Sequence, residues 1–205
     1  VTSNLAHPTG DRADPTRLAR RMPHPLEEIR DNPANSNEWK TSMLKAPCAS
    51  PGYFCYACFC PCCAAYQQRD AIIEAGDGKY ICCLGMCCLK DPCPKIPCLC
   101  CEVCCCLGLA ASFTRIHIMM SFNIKPDPMD TYIICCSNVM QILAIFAACF
   151  CDRETAQFMR NLADLIFYLV MGCMQTQVHV EVHEKHGGIW PAKISYPNQR
   201  DPLMK

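Results

Sequence analysis

The chain has 205 residues, enough to enclose one hydrophobic core, so its fold does not have to rest on disulfide staples. Nineteen Lys and Arg balance nineteen Asp and Glu. That zero net charge leaves no bulk basic field of the kind that non-specific nucleic-acid binding requires, so no nucleic-acid partner is expected.

Residues 1–46 are polar and punctuated by Pro8, Pro15, Pro23, Pro25 and Pro33, which predicts an extended arm with packed structure starting near Trp39. No apolar run of signal-peptide length interrupts the arm. The expected setting is therefore reducing and intracellular, where clustered cysteines favour metal ligation over a disulfide framework.

Residues 47–187 follow as a cysteine-rich helical domain. Of the 22 cysteines in the chain, 17 lie within residues 48–106. Packing alone does not call for such density, since a buried free thiol does little that Ala or Leu does not. Residues 66–75 read as a helix ended by Gly76 and Gly78, and residues 90–97 as a loop carrying three prolines. A helix is then predicted over residues 98–122. Pro126 and Pro128 break it, and Asp130 or Thr131 is the expected N-cap of the next.

Residues 131–151 carry no charge. Their length suits a bilayer span, while Ser137, Asn138, Gln141 and the Ala and Cys content suit a buried core helix equally. Asp152 caps a long amphipathic helix with Met159, Leu162, Ile166, Leu169 and Cys173 at helical spacing, stopped by Gly187 and Gly188. Residues 188–205 form a second proline-containing arm. The expectation is a mainly α protein of roughly three to five helices. It is a compact bundle with a loop-rich, metal-stabilised cysteine region and extended arms at both ends.

The strongest chemical pattern is Cys55-x2-Cys58-x-Cys60-Pro-Cys62, followed some 45 residues later by the pair Cys101-x2-Cys104. A C-x2-C turn brings two thiolates to one side, where they bite a tetrahedral ion. Cys55, Cys58, Cys60, Cys62, Cys101 and Cys104 are thus the candidate ligands, and zinc the expected ion. Vicinal thiol redox chemistry at Cys60 and Cys62 is one competing use. S-acylation is another, at residues 104–106 or at Cys149 and Cys151 should the protein touch a membrane. Cys135, Cys136, Cys149, Cys151 and Cys173 fall on apolar helices and are expected simply to pack. His179, His183 and His186 share one helical face, readable as a metal stripe or as imidazoles at the negative end of a helix dipole. Arg115 and Asp164 are isolated charges in apolar helices. A buried pair, Arg115 with Asp164 or with Asp130, would fix how these helices dock. No phosphate loop, nucleophile elbow or carboxylate pair is present, and no enzyme is expected.

The segment from Phe54 to Cys62 resembles the hallmark of the placenta-specific-8 type cysteine-rich family, which includes plant cell-number regulators and cadmium-resistance proteins. Phe54 stands where that family usually has Cys. Tyr66-Gln-Gln-Arg69 resembles the segment that follows the hallmark. Residues 98–130, with Ser112-Phe-Thr-Arg115 and Asp127-Pro-Met-Asp130, resemble long protist and algal members. The resemblance implies membrane association, divalent-metal involvement and self-association. Two functions follow as expectations. One is a zinc-stabilised, non-enzymatic scaffold subunit at a membrane, holding protein partners through its arms. The other is a divalent-metal transport or resistance protein.

Overall fold

The structure, a computed structural model, describes residues 36–76, 80 and 94–190. Among these residues the fold is helical: α1 (Ala46–Ala49), α2 (Pro51–Phe59), α3 (Pro61–Ala75), α4 (Lys95–Cys105), α5 (Leu107–Ser121), α6 (Pro128–Phe150) and α7 (Arg153–Val180). A π-helical turn, Glu181–Lys185, continues α7. The mainly α expectation holds, and helix occupies more of the cysteine-rich stretch than its loop-like composition suggests. The terminal arms are described only from residue 36 and up to residue 190. Their outer parts, and residues 90–93 of the expected loop, lie outside the described residues, while residues 95–97 open α4 instead of continuing the loop.

Proline chemistry sets several boundaries. Pro51, Pro61 and Pro128 each sit in the first turn of a helix, where a missing N–H costs nothing. Pro61 also drives Cys60 out of the helical region, to φ −132° and ψ 62°, so the Cys-Pro-Cys step becomes the corner between α2 and α3. Pro128 shifts the start of α6 forward, and Asp127 rather than Asp130 or Thr131 caps it, accepting from the Met129 N–H at 2.9 Å. Asp152 caps α7 as the sequence indicates, accepting from the Thr155 N–H at 3.0 Å.

The helix expected over residues 98–122 is two helices bent by 109°. No proline marks the break, which falls at Cys106. Glu102, just before it, is fixed by Arg69 at 3.3 Å and by the Tyr80 hydroxyl at 2.5 Å. Gly108, just after it, packs beside the Phe167 ring on α7.

The core sits where α3, α5 and the second half of α7 meet, around Ile72, Ile118, Met119, Val178 and Val182, with Trp39 and Trp190 packed against it. The start of the described chain is stitched onto this core. Lys40 N–H donates to the Glu181 carboxylate at 2.6 Å, and Asn37 pairs with the turn at Asn123. Among the described residues, packed contacts are present from Asn37 onward.

One knot of polar groups holds α5, α6 and α7 together. The Arg115 guanidinium pairs with the Asp130 carboxylate and donates to the Gln177 side-chain carbonyl. Gln177 in turn donates to Asp130 at 3.0 Å and to the Thr41 carbonyl at 2.9 Å. Met43 N–H reaches the other Asp130 oxygen at 3.3 Å, and Trp39 lies 4.7 Å beneath the guanidinium. The docking pair is thus Arg115 with Asp130, while Asp164 is exposed on α7.

Helices α2 and α7 cross at Gly172. A Cβ placed there would lie 2.4 Å from Cys58 Sγ and 3.1 Å from the Phe54 ring. Gly172→Ala is expected to cost about 1–3 kcal/mol by overpacking, which outweighs the 0.5–1 kcal/mol gained from helix propensity. Thermal melting checks this. The double variant Gly172→Ala/Cys58→Ala should recover most of the loss, and a single variant as stable as the parent would contradict the close crossing.

Candidate functional site: a cysteine-lined cavity at the base of a helical hairpin

Helices α6 and α7 form an antiparallel hairpin turning at Cys151 and Asp152. Its seam is narrow. Ser137, Ala144 and Ala147 are the buried residues of α6 beyond Asp130, and Ala163 is buried on α7, with Gln141 Nε2 donating to the Ala163 carbonyl at 3.0 Å. Everything else on α6 beyond Asp130 is exposed or half-buried. Over its most apolar window α6 has mean hydropathy 2.1 and is only 17 % buried, so within this chain it is not a core helix. Helix α7 is split in character. Up to residue 170 only Ala163 is buried, whereas from residue 171 to 182 all but Cys173 and His179 are. Both α6 and the continuous helix from Arg153 to Lys185 are long and apolar enough to cross a membrane.

Where the hairpin leaves the bundle, a cavity of 1020 Å³ opens between the α2–α3 corner, the α4–α5 break and the hairpin base. Cys58, Cys60, Cys62, Cys104, Cys105 and Cys106 all line it. The two cysteine groups that the sequence separates by some 45 residues are thereby brought together, because each sits at a helix corner and the corners adjoin. Cys62 and Cys104 are near enough to interact electrostatically. Burial first, and then the neighbouring Cys104, hold the Cys62 thiol above its ordinary pKa, so it is protonated at neutral pH and an incoming soft ion would have to displace that proton.

The other candidate ligands are placed differently. Cys60 is bonded to Cys63 in a disulfide, and in that state it offers no thiolate. Cys58 lies on the same cavity wall, close against α7. Cys55 is exposed outside the cavity, and Cys101 lies beside Cys105 with sulfurs 3.8 Å apart. Among the described residues no three His, Cys, Asp or Glu side chains gather as a metal site. Four of the six expected cysteines line one cavity, and among the described residues no four-cysteine site is preassembled. Cys105 and Cys106, absent from the expected ligand set, join the cavity only because of the Cys106 bend, for which the sequence carries no proline signal.

His179 and His183 lie side by side with ring centroids 4.3 Å apart, but among the described residues no third ligand joins them. His179 stacks on Tyr53 with centroids 3.9 Å apart, and His186 stacks on Phe122 at 3.4 Å. Burial pushes the Tyr53 phenol up to about 12, consistent with a neutral packing partner that accepts from Gln68 at 3.1 Å. Gln68 also donates to the Gln175 carbonyl at 2.8 Å, so Gln68 and Arg69 serve the packing of α3. The expectation that the later cysteines pack is overturned for four of five. Cys135, Cys136, Cys149 and Cys151 are exposed, since among the described residues this part of α6 packs mainly on α7, and of the five Cys173 alone is partly buried.

No protein-family model, curated protein or solved structure matches this chain.

Proposed function

We propose that this protein is a non-enzymatic, membrane-embedded scaffold subunit, anchored by the α6–α7 hairpin and facing the reducing, intracellular side with its cysteine-rich bundle. The observation that carries this reading is the barely covered α6. An apolar helix of 23 residues is about 34 Å long, against a hydrocarbon core of about 30 Å. Exposed apolar area of that extent has no stable place in water. The resemblance of residues 54–62 to the placenta-specific-8 type family supports the same location. Protein partners would be engaged through the terminal arms. Alkaline carbonate extraction of membranes tests the anchor: the full chain should stay in the pellet, and release into the supernatant would refute it.

Zinc is the structural ion proposed for the cysteine cavity. Cys62 and Cys104 supply two thiols, and reduction of the Cys60–Cys63 disulfide would add Cys60 on the same wall. Reduced protein is expected to retain about one zinc per chain, as a structural site does. Oxidised protein should retain none. Metal stoichiometry with free-thiol counting under denaturation checks both states, and equal zinc content in the two would contradict the assignment.

Metal handling is the second reading, favoured by the number of thiols on one cavity wall, which suits soft ions. Cys62→Ser with Cys104→Ser separates the two. The scaffold reading expects a lower melting temperature. Metal handling expects unchanged melting and lost metal tolerance.

A further inference from the structure

Away from its turn, the α7 side of the hairpin carries one exposed polar stripe. Gln157, Arg160, Asn161 and Asp164 follow helical spacing on α7 and are all exposed, while Phe158, Leu165 and Leu169, on the neighbouring face of the same helix, are exposed and apolar. Among the described residues neither Arg160 nor Asp164 has an ion-pair partner within the chain, and Gln157 reaches only Asn161, at 2.8 Å. Counted from the hairpin turn at Asp152, Asp164 lies about 18 Å along the helix, close to the middle of a bilayer of about 30 Å. An unpaired carboxylate at that depth is costly, and intramembrane charges accordingly pair with one another. Side-chain amides on the same stripe bond across helix interfaces in lipid.

We propose that this stripe is the contact surface for a second copy of the same chain, the two α7 helices packing side by side in the membrane around a two-fold axis. The proposal rests on the hairpin being membrane-embedded. Its occupant is fixed by charge. Arg160 and Asp164 are one turn apart, about 6 Å along the axis, so in a parallel pair the arginine of each copy reaches the aspartate of the other. The two-fold axis makes both ion pairs at once, as an isologous interface requires. The Asn161 amide N–H groups and the Gln157 carbonyl oxygen, left over by the bond between them, are free to bond across the same seam. A partner of another kind would need its own matching pattern, whereas a second copy carries it already.

The test uses full-length chains in membranes, labelled with donor and acceptor fluorophores. Wild-type copies should give energy transfer. Copies that all carry Asp164→Arg should lose it, as should copies that all carry Arg160→Asp, because like charges then face each other. Mixing the two variants should restore transfer, since two arginines on one copy meet two aspartates on the other. Failure of the mixture to recover would overturn the stripe as the interface. Carbonate extraction of the same samples keeps the anchor separate: wild-type chains that stay in the pellet yet give no transfer would overturn this inference and leave the membrane reading standing.

Discussion

Asp130→Ala is expected to remove about 3–5 kcal/mol of stability, the typical loss when one partner of a buried ion pair is deleted. Asp130 is 2 % exposed and accepts from Arg115, from Gln177 and from the Met43 N–H. Its removal leaves the Arg115 guanidinium buried with only a neutral amide and the Trp39 face for company. It also strands the Met43 N–H, a buried donor whose desolvation adds to the loss. Against a total stability of about 5–15 kcal/mol the change is a large fraction. Trp39 lies directly against Arg115, so its fluorescence is a local reporter of the transition. The double variant Arg115→Met/Asp130→Leu should be markedly more stable than Asp130→Ala alone, because an apolar pair of similar bulk strands no charge. An Asp130→Ala protein that melts within about 0.5 kcal/mol of the parent, the range of neutral surface changes, would show that the pair is not holding α5 to α6.

Much of this architecture is written in local chemistry. Proline and Asp-Thr signals place helix starts because each acts over one or two residues, and Pro61 turns the Cys-Pro-Cys step into a corner for the same reason. The Arg115–Asp130 pair is legible because a lone charge in an apolar helix must find a partner. What the sequence hides is long-range. The bend at Cys106 depends on Glu102 being held by Arg69 and Tyr80 and on Gly108 meeting Phe167, contacts that no local pattern encodes. Without that bend the cavity does not close, and Cys105 and Cys106 would not face Cys62. The meeting of cysteines is long-range in the same way: C-x2-C spacing groups Cys55 with Cys58 and Cys101 with Cys104, while the helix corners bring Cys58, Cys60, Cys62 and Cys104 to one cavity. The exposure of Cys135, Cys136, Cys149 and Cys151 was hidden too, because apolar sequence looks alike whether protein or lipid surrounds it.

The sharpest consequence of the hairpin concerns its outer face. Val139 and Leu143 lie one turn apart near the middle of α6, 46 % and 45 % exposed. Among the described residues neither belongs to a buried cluster, so Val139→Arg with Leu143→Arg should leave thermal melting in detergent nearly unchanged, as surface substitutions do. In a bilayer the same residues sit close to the midplane, where each arginine costs about 2.5–3.5 kcal/mol on insertion scales. Together they oppose insertion by about 5–7 kcal/mol, roughly four to five orders of magnitude in the equilibrium. The doubly substituted chain is expected to move from the carbonate pellet to the supernatant. Phe150→Arg, at the tip beside Asp152, should stay in the pellet, because a long cationic side chain at a helix end reaches the interface. The depth dependence separates lipid from protein as the covering of α6. A protein partner would be disturbed by charge anywhere on the face it covers, tip included, whereas a bilayer tolerates charge at its edge and rejects it at its centre. Equal retention of both variants would mean that lipid does not surround this helix. Loss of Phe150→Arg alone would point to a partner seated at the tip.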